Sequence, residues 1–301
     1  AGRSTLITEP DQGIAPIDAL LASARHRLDL SVYELVDRTA EQVLAADAAR
    51  GVHVSVILDH NREGTANLAA FSYLAAHAVA VTWASSRFAA SHEKVAVIDG
   101  GEAVIMTLNL VTRDYAATRD FAVVDRDPAD VNAIEAVFGA DFSGQPVSPP
   151  PGDLVWSPGS TGALVGLIAS ARSTLLVENE EISSRPILDA LAAAARRGVR
   201  VELVMTDSPE WTAAFGRLAA AGVRVATYAP DAPRYIHAKA MAVDGTRAFV
   251  GSENFSAASL DRNRELGVLV TEPDVVRSLA ATIGSDAAAG TPRPDPAFSP
   301  G

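Results

Sequence analysis

The stretch Ile236-His237-Ala238-Lys239-Ala240-Met241-Ala242-Val243-Asp244 decides the reading of this chain, because it occurs twice. The earlier copy is Ser91-His92-Glu93-Lys94-Val95-Ala96-Val97-Ile98-Asp99. His237 follows His92 by 145 residues, and the same interval separates Lys239 from Lys94, Asp244 from Asp99, Ser252 from Thr107, Asn254 from Asn109 and Glu265 from Asp120. Six polar positions in one constant register indicate a duplicated half, with one site built from two contributions.

Outward from these stretches, both halves carry the same order of elements. In the first, helical patterns at 15–27, 40–50, 65–77 and 128–139 alternate with strand patterns at 28–35, 52–58, 78–83, 92–98, 103–109 and 120–125. In the second, helices at 161–172, 186–197, 209–221 and 272–287 alternate with strands at 175–182, 199–205, 223–228, 236–243, 247–251 and 265–270. Gly51, Gly198 and Gly222 each sit where a helix should stop. This alternation predicts an α/β fold of two duplicated halves, each a mixed β-sheet flanked by helices, packed about a pseudo-twofold with one shared active site. The expected boundaries are 1–142 for the N-terminal half, 143–160 for a Pro/Gly-rich linker, 161–290 for the C-terminal half and 291–301 for a flexible tail.

The chain has 301 residues, 48% of them hydrophobic, and so has room for two cores. Its lack of cysteine excludes disulfides, thiolate metal sites and a cysteine nucleophile. With 37 acidic against 25 basic residues the net charge is −12, which argues against a broad nucleic-acid surface. No apolar run approaches the roughly 18 residues of a spanning helix. A start at Ala1 with no signal-like stretch fits a processed secreted protein, a bacterial one in our reading, and equally a trimmed chain.

On a strand, residues i and i+2 share a face, so His92 lies with Lys94 and His237 with Lys239. The same parity groups Thr107 with Asn109 and Ser252 with Asn254. If the two faces meet, the pocket holds two imidazoles, two ammonium groups, two amides and two hydroxyls, a donor set suited to a phosphoryl group. One imidazole can attack phosphorus while the other protonates the leaving oxygen. Lys94, Lys239, Asn109, Asn254, Thr107 and Ser252 are the expected phosphate ligands. Asp120 and Glu265 are the expected orienters of the imidazoles through Nδ1. Asp99 and Asp244 end their strands and are expected to brace the motif turn. A lysine two residues from each histidine would repel a metal ion, so neither metal nor cofactor is expected. His26, His53, His60 and His77 have no repeated partner and are read as structural.

These residues resemble the phospholipase D superfamily, whose signature is H-x-K-x4-D followed by G-S/G-x-x-N and a downstream acid. The two copies read HEKVAVID, TLN, Asp120 and HAKAMAVD, GSEN, Glu265. The resemblance implies a metal-independent phosphodiesterase working through a covalent phosphohistidine, with His92 as nucleophile and His237 as general acid. It points to a soluble phospholipase D that hydrolyses and transphosphatidylates glycerophospholipids at a membrane surface, active as a monomer because both motifs lie in one chain. Phe88, Trp211 and Phe215 are candidate lipid contacts, with a place in the core as the equal alternative for each. A nuclease or small-diester hydrolase of the same superfamily is the alternative, and a catalytically silent binding module is a third. The first copy departs from the signature at Met106-Thr107, where a narrower pocket is expected.

Overall fold

The computed structural model describes residues 3–293. Two eight-stranded mixed sheets repeat one topology. The first runs Ser4–Glu9, Thr118–Asp125, Glu102–Met106, Lys94–Ile98, Arg27–Val32, His53–Leu58, Ala80–Trp83, with Tyr235–Ile236 joining the Thr118–Asp125 strand from outside this path. The second runs Leu154–Ser157, Glu265–Val270, Arg247–Gly251, Ala240–Val243, Thr174–Glu178, Arg200–Thr206, Arg224–Tyr228, Thr291–Pro292. In each sheet the motif strand is central. It pairs antiparallel with the strand that opens the parallel trio of its half.

Burial on both faces explains why the motif strands carry no polar residue between Lys94 and Asp99 or between Lys239 and Asp244. Val95 and Val97 face a core shared with Ala240 and Ala242 of the other half, while Ala96 and Ile98 face the outer core of the first half. Met241 and Val243 face the outer core of the second half. The shared core is the contact between the halves, and the helices Pro128–Phe142 and Pro273–Ala289 contribute Val131, Ile134, Val276, Leu279 and Ile283 to it.

Local signals set the ends of the elements. Asp37 caps the helix Arg38–Ala49 by accepting from Thr39 N at 2.8 Å, and Asp127 caps Pro128–Phe142 by accepting from Ala129 N at 2.9 Å. Gly51, Gly198 and Gly222 follow their helices at positive φ, as the helix-stop reading required.

Four expectations need correction. Residues 154–157, assigned to the linker, form an edge strand paired with Glu265–Val270, so the connection ends earlier. Thr291–Pro292, assigned to the flexible tail, pairs with Arg224–Tyr228; residues 294–301 lie outside the described residues. Trp211 and Phe215 are buried in the core of the second half instead of being presented to lipid. Phe88 is partly buried with the Arg264 guanidinium over its ring, 4.4 Å from the centroid. Among the described residues no helix is long and apolar enough to cross a membrane.

Candidate active site

The motif strands begin at Lys94 and Ala240, so His92, His237 and Lys239 precede them and strand parity does not apply to the histidines. Their backbone pairs with the opposite half. His92 N donates to Arg264 O at 2.8 Å, and His237 N donates to Arg119 O at 3.2 Å. Ser91 bridges to Arg264, and Tyr235–Ile236 pairs with Thr118–Arg119. The residue after each of these arginines is the expected carboxylate, so each histidine meets the acid of the other half.

The resulting dyads are crossed. His92 Nδ1 lies 2.8 Å from Glu265 Oε2, and His237 Nδ1 lies 2.8 Å from Asp120 Oδ1. Both carboxylates accept further hydrogen bonds. Glu265 Oε1 accepts from Ser259 Oγ at 2.7 Å and from Asn263 Nδ2 at 3.0 Å, and Asp120 Oδ1 accepts from Thr107 Oγ1 at 2.5 Å. Burial alone would raise both carboxyls. The facing imidazole and the nearby lysine outweigh it, with Thr107 adding its hydrogen bond at Asp120, and hold both below the ordinary carboxylate range. A carboxylate on Nδ1 leaves Nε2 as the nitrogen of each ring that can serve in chemistry, although at His237 Glu180 lies 3.6 Å from it.

Lys94 and Lys239 are among the largest fully buried side chains. Each ammonium curls back to the carbonyl oxygen of its own histidine, Lys239 at 2.5 Å. Desolvation, against the pull of Glu265, pushes Lys94 down to about 7, with Lys239 adding repulsion. Asn109 Oδ1 and Asn254 Oδ1 are buried and accept no hydrogen bond from the described residues.

Thr107 and Ser252 are corrections. Both are fully buried. Thr107 Oγ1 is used up by Asp120 and by Phe121 N at 2.9 Å, and Ser252 Oγ accepts from Leu266 N at 3.1 Å. Both hydroxyls are engaged within the strands that carry the acids. Met106 turns into the outer core of its half, so the departure from the signature does not narrow the pocket. In the second half its counterpart Gly251 is obligatory, because a Cβ there would sit 2.5 Å from Gly267 Cα.

Asp99 and Asp244 lie at the far end of the motif strands, both at positive φ. Asp99 accepts from Arg25, His26 and Arg27 N at 2.9, 2.7 and 2.9 Å. Asp244 accepts from Arg172, Ser173 and Thr174 N at 2.9, 2.8 and 2.9 Å. Each staples the helix-to-strand turn of its own half. Burial would raise Asp244, but the three N–H donors together lower it to about 2. Asp244→Ala is expected to cost about 2 kcal/mol of stability and leave turnover within about twofold of the parent. A thermal melt paired with a turnover assay checks this, and lost turnover in a folded protein would move Asp244 into the chemistry.

Three features escaped the sequence reading. Arg119 and Asp286 form a buried bridge between the halves, Nε to Oδ2 at 2.5 Å, and Arg264 and Asp141 form its counterpart at 2.8 Å. Arg264 follows Arg119, and Asp286 follows Asp141, by the same 145 residues as the motif positions. The repeat interval alone could have found them. The third is Glu180. Its Oε2 lies 3.0 Å from Lys239 Nζ, 3.4 Å from Asn254 Nδ2 and 3.6 Å from His237 Nε2. Strand pairing places Leu28 opposite Ile98 and Leu175 opposite Val243, which aligns Glu180 with Tyr33. The Tyr33 ring stands edge-on to His92 with centroids 4.6 Å apart, and Lys94 Nζ lies 5.1 Å from it. The two halves are therefore unlike beside the histidines: an aromatic ring next to His92, a carboxylate next to His237.

A cavity of about 900 Å³ lies elsewhere, between the second sheet and its helices near Leu176, Ala242 and Gly284, and contains none of the repeated residues. Chemistry, not volume, locates the site.

Residues 17–142 and 164–286 each match the family described as "Cardiolipin synthase, PLD-like domain". The chain belongs to the phospholipase D superfamily and carries its domain twice. Among curated relatives, the cardiolipin synthase of Geobacillus thermodenitrificans (strain NG80-2) is 23% identical over 93% of this chain and 65% of its own length. Cardiolipin synthase A of Serratia proteamaculans (strain 568) is 26% identical over 91% of this chain and 67% of its own. The chain thus spans about two thirds of the length of these relatives. Two solved structures share the fold. Phosphatidylserine synthase of Haemophilus influenzae Rd KW20 has a TM-score of 0.69 at 12% identity, over 97% of this chain and 87% of that one. Polyphosphate kinase from Porphyromonas gingivalis has a TM-score of 0.73 at 17% identity, over 94% and 50%.

Proposed function

We propose that this protein is a metal-independent phosphodiesterase that transfers the phosphatidyl group of a glycerophospholipid to water or to an alcohol. The observation that carries this reading is the pair of crossed imidazole–carboxylate dyads enclosing two buried ammonium groups. His92 Nε2 attacks phosphorus and forms a P–N bond. The bond from phosphorus to the head-group oxygen breaks, and His237 gives its proton to that oxygen. Water or an alcohol then surrenders a proton to His237 and attacks phosphorus, and the P–N bond breaks. Lys94 and Lys239 neutralise the charge that builds on the non-bridging oxygens, with Asn109 and Asn254 beside them.

Assignment of the two roles rests on the unlike neighbours. His92 lies against the Tyr33 ring, and burial lowers its pKa despite the opposing pull of Glu265, which favours a neutral nucleophile. His237 has a carboxylate near each ring nitrogen, Asp120 at Nδ1 and Glu180 at Nε2, a setting unlike that of His92. Both motifs lie in one chain, which supports an active monomer at a membrane surface. The names of the curated relatives favour an alcohol, in particular one carried by a second phospholipid, as the acceptor.

The test is incubation with phosphatidylcholine vesicles, ethanol and EDTA, and in parallel with phosphatidylglycerol vesicles. Phosphatidic acid and phosphatidylethanol are expected from the first and cardiolipin from the second, all undiminished by the chelator. Loss of product in EDTA would contradict the metal-free mechanism. Cleavage of bis(p-nitrophenyl) phosphate without any lipid product would favour the nuclease or small-diester reading.

A further inference from the structure

Glu180 occupies the donors that a phosphoryl group needs. Lys239, Asn254 and His237 Nε2 all converge on its Oε2, and Tyr235 Oη donates to Oε1 at 3.2 Å. Its backbone is fixed in that position. The fully buried Asn179 beside it donates from Nδ2 to Glu253 O at 3.2 Å and accepts at Oδ1 from Glu181 N and Phe255 N, both at 3.1 Å. The loop is thereby bolted to the Asn254 segment, and only the side chain, 22% exposed, is free to turn outward.

The charge of this carboxylate gives it a meaning. Its single negative charge sits against Lys239 Nζ, Asn254 Nδ2 and the Nε2 side of His237. A phosphodiester monoanion carries the same single charge and would take the same donors. We infer that Glu180 is an internal stand-in for the phosphodiester, which yields Lys239 and Asn254 to a monoanionic diester and disfavours dianionic phosphomonoesters. The inference rests on reading this pocket as a phosphodiester site, and it bears on release as well as entry. Hydrolysis converts a diester into a monoester that ionises twice, and the returning carboxylate opposes that extra charge.

The mutual attraction of the carboxylate and its donors agrees with this role. Burial would raise Glu180, yet Lys239 first and His237 next hold it far below the ordinary carboxylate range, so it competes as an anion at every working pH.

The test is calorimetric titration at pH 8 of methyl phosphate, a dianion, and dimethyl phosphate, a monoanion, into the parent and Glu180→Gln. The parent should bind dimethyl phosphate at least as tightly as methyl phosphate. The variant should bind methyl phosphate about tenfold or more tighter than the parent does, with a smaller gain for dimethyl phosphate. Affinities within about twofold of the parent for both ligands, or weakened for both, would show that Glu180 only supports Lys239, and the inference would fall. Should the variant not fold, the parent's ranking decides, and tighter binding of methyl phosphate overturns the proposal. Turnover of bis(p-nitrophenyl) phosphate by the parent separates the two readings. If the parent cleaves it while Gln changes nothing, only the stand-in role is lost. If the parent neither cleaves the diester nor binds either phosphate, the phosphodiester reading is lost with it.

Discussion

Turnover of a phosphodiester is expected to fall by on the order of 10⁵-fold in His92→Ala, and the phosphoenzyme is expected to disappear with it. A nucleophile is not replaceable by its neighbours in this site. The facing Glu265 is turned to Nδ1, Tyr33 is engaged with Glu63 at 2.9 Å, and Lys94 is folded onto a carbonyl. His237→Ala should behave differently. With bis(p-nitrophenyl) phosphate, whose leaving group needs no proton, the first P–O cleavage should still occur and yield a burst of p-nitrophenolate. The second step lacks its base, so an acid-labile, base-stable phosphoenzyme should accumulate. Rapid-mix kinetics and acid–base lability of the trapped species check both variants. A burst that survives in His92→Ala and vanishes in His237→Ala would exchange the two roles.

Glu265→Gln is expected to reduce kcat/KM by roughly 10³- to 10⁴-fold while leaving the fold intact, because an amide in that position presents the wrong tautomer of His92. The pH dependence should carry a second signature. The charge of Glu265 raises the pKa of His92, while desolvation lowers it further than that. Removing the charge takes away the raising influence only, so the acid limb of kcat/KM should move to lower pH. A limb that moves upward would mean that Glu265 does not act on His92 through charge. Stability should change in a matching sense. The depressed carboxyl contributes stability above its unfolded value, lost as pH falls through its folded one, so acid tolerance should differ between parent and variant.

Much of the fold was legible because its two periodicities are clean. The helix stops at Gly51, Gly198 and Gly222 and the β-rich stretches 52–58 and 199–205 fall within a residue or two of where they are observed. The motif strands, Lys94–Ile98 and Ala240–Val243, are shorter than the sequence pattern predicts. His92 and His237 have strand-like neighbours in sequence, but their hydrogen-bond partners belong to the other half, and pattern within a half carries no information about that. For the same reason Asp120 and Glu265 could be placed near imidazoles but not assigned to one or the other. Thr107 and Ser252 sit at the right interval, yet repetition marks shared role without saying which way a hydroxyl points. Asp141 and Asp286 repeat at the motif interval but lie on helices, where an acid is ordinarily a solvated residue. Glu180 has no counterpart at 145 residues at all. Its strand is offset by two further positions, and at that offset the partner is tyrosine.

On the proposed mechanism the crossed dyads make catalytic competence a property of the assembled whole. The first half holds His92 and the acid for His237; the second holds His237 and the acid for His92. A growing chain that has emerged only as far as residue 250 therefore owns both imidazoles and only one of their two carboxylates. Until Glu265 follows and the halves close, His92 has no partner at Nδ1. On the proposed mechanism the site is a two-key lock, complete only when both halves are in place.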